Sequence, residues 1–461
     1  MRLGRVGGLG VVVVGAVLLS SCSTLSRINP IHRTKPDEKS EAEKAKRIPV
    51  LAIDQKLTAT AALKGVEFSL PAEKPQTEWL TPGGPPEQSV EHVQAAAKFQ
   101  VAWRRRFGEG SKRYSHVTAP PVASGGRIYV MDGEAQVSAL DGNSGQTLWR
   151  TNLNPGKRRD RHAFGGGLAI SGGRLYVTSG FRFVAAVDLG TGKVIWRQNT
   201  VSPVHDAPNV AGGRVYSISV DNQLETFDAN SGAPGWKYQA LVEPARILAA
   251  SSPALAGDTV VAAFSSGELV ALSAANGSEL WNQQLSRNSR TTALSEIRDI
   301  PGRPVVYRGE VFAGSHSGIF ADVDLRTGQY RWDPLPIAML GTPWAAGDVV
   351  YVTSKAGEIV CVSRSSGQVY WVRDLNEGHK QVRESKFLGL TKVDRPYWSG
   401  PILASNRLIT VSTDGRAVAI NPRTGEVLST IKIGDPAVIS PIAVNGQIYV
   451  VTEKAELVAI R

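Results

Sequence analysis

The chain has 461 residues, of which 42% are hydrophobic and 20% charged, with a formal net charge of +11. Length alone would allow about three domains, and the charge is too moderate to imply nucleic acid without a helix-turn-helix, zinc or RRM-type pattern, none of which is present. Cys22 and Cys361 are the only cysteines, which excludes a disulfide scaffold.

In chain order, residues 1–21 read as a lipoprotein signal peptide. Arg2 and Arg5 form its positive start, and Val6–Leu19 its apolar core, too short for an ordinary membrane span. It ends Leu19-Ser20-Ser21-Cys22. This resembles the bacterial lipobox, in which the Cys becomes the lipidated first residue. An ordinary secretory signal cleaved nearby is the other reading. Ser23 rather than Asp after the Cys implies sorting to the outer membrane.

Residues 22–50 are polar and aperiodic, the composition of a disordered tether. Its basic residues, among them Arg27, Arg33, Lys35 and Arg47, either lie near anionic head groups or are simply solvated. Residues 51–97 hold seven Pro and Gly between Pro71 and Pro86, which rule out a long helix or a central strand. An extended wrapping segment is expected, anchored on the surface by Phe68 and Trp79. Phe99–Phe107 reads as a lone strand carrying Trp103.

From residue 98 onward a propeller is expected, because a nine-residue phrase recurs. It reads D-G-N-S-G-Q-T-L-W at Asp141–Trp149 and returns at Asp188–Trp196, Asp228–Trp236 and Asp324–Trp332. Ser273–Trp281 and Ser363–Trp371 begin with Ser, and Asn421–Ser429 keeps Gly425 but loses the Trp. The short polar side chain can bond the backbone two residues on and start a turn. The Gly supplies positive φ, and the Trp falls in the next strand, where it can pack on a neighbouring repeat. A second marker, Pro then Gly or Asn then an apolar strand, precedes the turns, as at Pro121/Gly126 and Pro441/Gly446; with Leu168 replacing one Pro, eight copies result. Each repeat reads as four strands, A to D. The period is that of an all-β, eight-bladed β-propeller. The eighth repeat stops at Arg461 without a Trp strand, so the Trp103 strand is expected to complete the last blade and leave no free sheet edge.

The connections from strand D to the next strand A share one face. From the Trp place to the next Pro they span 11 residues after Trp332 but 23 after Trp281 and 30 after Trp371. Extra length on one face marks either a binding face or drift in tolerated loops.

Reactive constellations are scarce. The seven His show no metal-ligand spacing, and Gly165-Gly166-Gly167 lacks the Lys-Ser/Thr of a phosphate loop. Cys361 reads as a small buried hydrophobe in a strand. The repeats resemble those of PQQ-dependent dehydrogenases, which keeps a periplasmic oxidoreductase as the alternative function. The Cys-Cys pair often found beside that cofactor is missing.

Signal, Cys22, tether and eight such repeats together resemble the BamB family, lipoprotein subunits of the outer-membrane β-barrel assembly machinery. The resemblance spans roughly residues 15–461. It implies no enzyme activity, no cofactor and no metal. The implied function is a lipid-anchored periplasmic scaffold that binds the POTRA domains of BamA and other assembly subunits, with unfolded outer-membrane proteins as clients. By the same resemblance Asp299 matches an acidic family position that supports the BamA contact, with Glu296 and Arg298 beside it; the second acidic position is Pro301 here. A Leu-x-Leu-Arg contact motif corresponds to Ala245-Arg246-Ile247-Leu248, with Arg246 in the Arg role from a shifted position. Physically, Arg246, Ile247 and Leu248 would make an apolar anchor beside a selecting charge. Ile247 and Leu248 could equally begin a buried strand, and Glu296, Arg298 and Asp299 could equally be a solvated loop.

Overall fold

In a computed structural model the chain is described over residues 57–156, 164–243, 251–286, 297–378 and 395–461, with the backbone of a short strand pair at 383–384 and 392–393. The expected signal peptide, Cys22 and the tether lie outside the described residues, as do Arg246, Ile247, Leu248 and Glu296.

Eight antiparallel sheets form the blades of a propeller. Blade 1 shows the pattern: strand A Val122–Ser124, B Arg127–Met131, C Gln136–Asp141 and D Thr147–Asn152, each paired with the next. Strands B and C are sandwiched between neighbouring blades, so they bury both faces and read as nearly continuous Val, Ile, Leu and Ala. Strand D is outermost and alternates between exposed and half-buried positions.

The recurring phrase is the turn from C to D. The Asp141 carboxylate accepts the N–H of Ser144 at 2.8 Å and of Asn143 at 3.1 Å. The Gly145 N–H returns to the Asp141 carbonyl at 2.8 Å. Gly145 sits at φ +70°, a conformation that favours glycine. Asp188, Asp228 and Asp324 repeat the arrangement, and Asn421 does so in the degenerate copy.

Strand Val101–Arg106 pairs antiparallel with Glu456–Ile460, placing Trp103 opposite Ala459. It supplies the outer strand of blade 8 and closes the ring. Blade 5 departs from the four-strand expectation. It has three strands, Val305–Tyr307, Glu310–Gly314 and Phe320–Asp324, and its outer edge is held by isolated bridges Val323–Tyr330 and Phe320–Leu335. Pro334 and Pro336 flank Leu335 there, and neither has an N–H to continue a ladder.

The segment before the propeller crosses the ring. Backbone or side-chain hydrogen bonds join residues 76–96 to the inner strand or its following turn in every blade. Trp79 and Ala123 of blade 1 exchange two bonds at 2.7 and 2.8 Å; Leu80 accepts from Ile170, and Pro86 from both Asn209 and Leu255. Glu87 accepts from Val306, Glu91 from Trp344, Val93 bonds Leu403, and Ala96 bonds Gly446. The Trp79 ring is buried and stacks on Trp344 at 6.4 Å. These bonds fall on the A strands and A-to-B turns, so the segment covers the face opposite the D-to-A loops.

Candidate partner-binding face and channel mouth

The D-to-A loops and B-to-C turns make one face, here the upper face. Most apolar side chains near it are buried, but Val201, after strand D of blade 2, is 85% exposed, and the adjacent pair Leu241 and Val242 are 65% and 67% exposed. Both follow strand D of blade 3, Pro234–Gln239. The Leu241 backbone is nevertheless fixed. Its N–H donates to the Glu268 carboxylate at 2.8 Å, and its carbonyl accepts from Asn222 Nδ2 at 2.6 Å. Glu268 is buried and also accepts from Ser266 Oγ at 2.7 Å and Asn282 Nδ2 at 3.1 Å. An apolar pair is thus held out in water by a bonded backbone, so little freedom remains to be lost on contact.

Arg298, exposed, leans on the same blade-4 turn: a Cβ at Gly267 would lie 3.3 Å from Arg298 Cβ. Leu241 and Arg298 thus both meet the blade-4 turn, Leu241 at Glu268 and Arg298 at Gly267. Asp299 is not the surface contact expected of it. It is buried, and its carbonyl accepts the His316 N–H at 2.8 Å. With His205 and Asp206 it lines a cleft of about 40 Å³ between blades 3, 4 and 5. Burial, followed by the charge of Asp299, pushes the Asp206 carboxyl well above its ordinary range.

Cys361 is buried in strand C of blade 6, and burial pushes its thiol up. Among the described residues no three His, Cys, Asp or Glu side chains are grouped to hold a metal ion.

The family model described as outer membrane protein assembly factor BamB matches residues 87–158, 133–373 and 385–461. The chain belongs to the outer membrane protein assembly factor BamB family. It has a role in outer-membrane protein assembly, associates with the outer membrane and is an assembly factor rather than an enzyme. It is 26% identical over 350 residues to the BamB of Burkholderia pseudomallei, covering 70% of this chain and 88% of that one. It is 28% identical over 366 residues to the BamB of Alkalilimnicola ehrlichii, covering 78% and 88%. In fold it is similar to the crystal structure of BamB from Moraxella catarrhalis, with TM-score 0.65 at 19% identity over 79% of this chain and 99% of that one. A quinohemoprotein alcohol dehydrogenase from Comamonas testosteroni shares the fold with TM-score 0.61 at 17% identity, over 83% and 80%.

Sequence reasoning missed Leu241 and Val242. The available signal was an apolar pair placed after strand D and before Pro244, where the loop after blade 2 has the single apolar Val201.

Proposed function

We propose that the chain is a non-enzymatic scaffold of the β-barrel assembly machinery, lipid-anchored at Cys22, with its propeller in the periplasm. On this reading the upper face at blades 3 to 5 binds the POTRA domains of BamA. One observation carries the site: Leu241 and Val242 are solvent-exposed on a backbone pinned by Glu268 and Asn222. Apolar anchors on a rigid support, with a cation beside them, are what a partner-binding hot spot needs. Arg298 supplies one such cation, and Arg246 with Ile247 and Leu248 follows in the same loop. Glu296 belongs to the neighbouring loop. Asp299 is buried and stands apart from this surface.

The test is photo-crosslinking from a probe at Val242, with a second probe at Leu148 on the outer strand of blade 1 as control. The expected result is a crosslink to BamA from Val242 alone. No crosslink from Val242, or an equal one from Leu148, contradicts the site.

A further inference from the structure

The central channel has a mouth on the upper face, at the end opposite the crossing segment. Residues just before the A strands of blades 1, 5, 6 and 8, and the start of that strand in blade 7, enclose a pit of about 160 Å³. Among the described residues, Arg303 is the only ionisable side chain that lines it. Its Nε is buried, with no hydrogen-bond partner among the described residues. No ion pair joins it to a described carboxylate. Asp206 and Asp299 line the adjoining cleft, not this pit. Arg303 is half-buried, and a guanidinium whose Nε is shielded from water with no counter-charge beside it gains from a ligand that supplies one.

The rest of the lining suits a particular ligand. The Thr342 hydroxyl accepts the backbone N–H of Arg303 at 3.0 Å, which leaves its own proton to donate. Thr118 and Ser440 add hydroxyls, while Leu340 and Val438 make the wall partly apolar. A water occupies about 30 Å³, so the pit has room for a carboxylate and a few carbons. One cation is neutralised by one monoanion, and the planar guanidinium fork matches a carboxylate.

We propose that the pit at Arg303 binds a monocarboxylate bearing a short apolar substituent. Two sources carry that chemistry, the free C-terminus of a polypeptide ending in an apolar residue and a free short-chain acid. The site is separate from Leu241 and does not depend on partner docking there.

The test is titration calorimetry of the full lipidated chain in detergent, at neutral pH. The probes are isovalerate, N-acetyl-Ala-Ala-Leu, the amide of each, and inorganic phosphate. Binding of either acid, with its amide at least about tenfold weaker, supports the proposal. Binding of the tripeptide alone identifies the polypeptide terminus as the source, and isovalerate alone the free acid. Arg303→Gln should weaken the acid about tenfold or more while leaving the thermal midpoint within a few degrees. Amides binding as well as acids, phosphate binding in preference to both acids, no binding of either acid, or Arg303→Gln binding unchanged would each overturn it. The acid-against-amide comparison needs no variant, so it decides even if Arg303→Gln folds poorly.

Discussion

The ring of Trp149, on the outer strand of blade 1, lies against Gly192 in the turn of blade 2. A Cβ built at Gly192 would come within 2.6 Å of Trp149 Cε3. The indole N–H donates to the Leu189 carbonyl at 3.2 Å. The same seam recurs as Trp196 on Gly232, Trp236 on Gly277, Trp281 on Gly328, Trp332 on Gly367 and Trp371 on Gly425. Trp103 closes the ring on Gly145. There the indole Nε1 has no hydrogen-bond partner among the described residues, and the Tyr449 hydroxyl takes the equivalent carbonyl, of Gly142, at 2.8 Å. The Gly thus serves two needs at once: positive φ for its own turn and empty space for the preceding blade's Trp.

Those two needs can be separated. Gly173 has φ +73° but nothing within 4 Å of a built Cβ, whereas Gly192 has φ +76° and the Trp149 ring. Gly173→Ala should cost about 1 kcal/mol from backbone strain. Gly192→Ala should cost roughly 1–3 kcal/mol more, because the packed ring must shift. Urea unfolding of both variants checks this; equal losses would mean that the seam tolerates a methyl group.

The crossing segment should stabilise the ring as a whole. Trp79 is buried between Ala123 of blade 1 and Trp344 of blade 6. Trp79→Ala should cost about 3–5 kcal/mol. Hydrogen exchange should quicken at the Ala123 and Ile170 amides, which bond to this segment. Unchanged exchange at both amides would show that the segment is not coupled to the inner strands.

Blade 5 should make stability depend on pH. Asp322 is fully buried, and neither carboxylate oxygen has a hydrogen-bond partner among the described residues. Burial, then the neighbouring Glu310, pushes its carboxyl up to about 8, despite Arg331 and Arg364. The folded protein therefore holds a proton that the unfolded chain releases near its ordinary value of 3.8. Its contribution is fully present below that value and is lost as pH rises toward about 8, at no more than about 1.4 kcal/mol per pH unit. Asp322→Asn, which mimics the protonated form, should lose less stability than the wild type between pH 5 and pH 9. Thermal midpoints across that range decide it; parallel curves for the two proteins would contradict the assignment. The turn carboxylates do not confuse the window, because their hydrogen bonds hold them below the ordinary range, as those from Ser144 do for Asp141.

The ring was readable because its signal is local and repeated. Asp141, Gly145 and Trp149 keep fixed offsets, and each offset answers to a turn bond, a positive φ or a docking ring. The absent outer strand of blade 5 was misread because Trp332 sits in its usual place, while Pro334 and Pro336 behind it stop the ladder. Asp299 was chosen on a family resemblance, which carries no information on burial; it lines a cleft just before strand A, as Asp206 does before strand A of blade 3. The path of residues 76–96 across the axis left no periodic trace, since it is held mainly by backbone bonds to partners far away in sequence. Leu241 became visible as a site only when Glu268 and Asn222 were seen to fix its backbone.

The proposed docking of BamA on the upper face at blades 3 to 5 can be tested on the protein itself. The most direct measurement is affinity purification of the intact lipoprotein from solubilised outer membranes, wild type beside Leu241→Asp, with mass spectrometry of what comes with each. BamA and other assembly subunits are expected with the wild type. With Leu241→Asp, BamA is expected to be reduced about tenfold or more, consistent with loss of a hot-spot contact, at an unchanged thermal midpoint. Equal recovery of BamA from both proteins, or none from the wild type, would contradict the proposed docking.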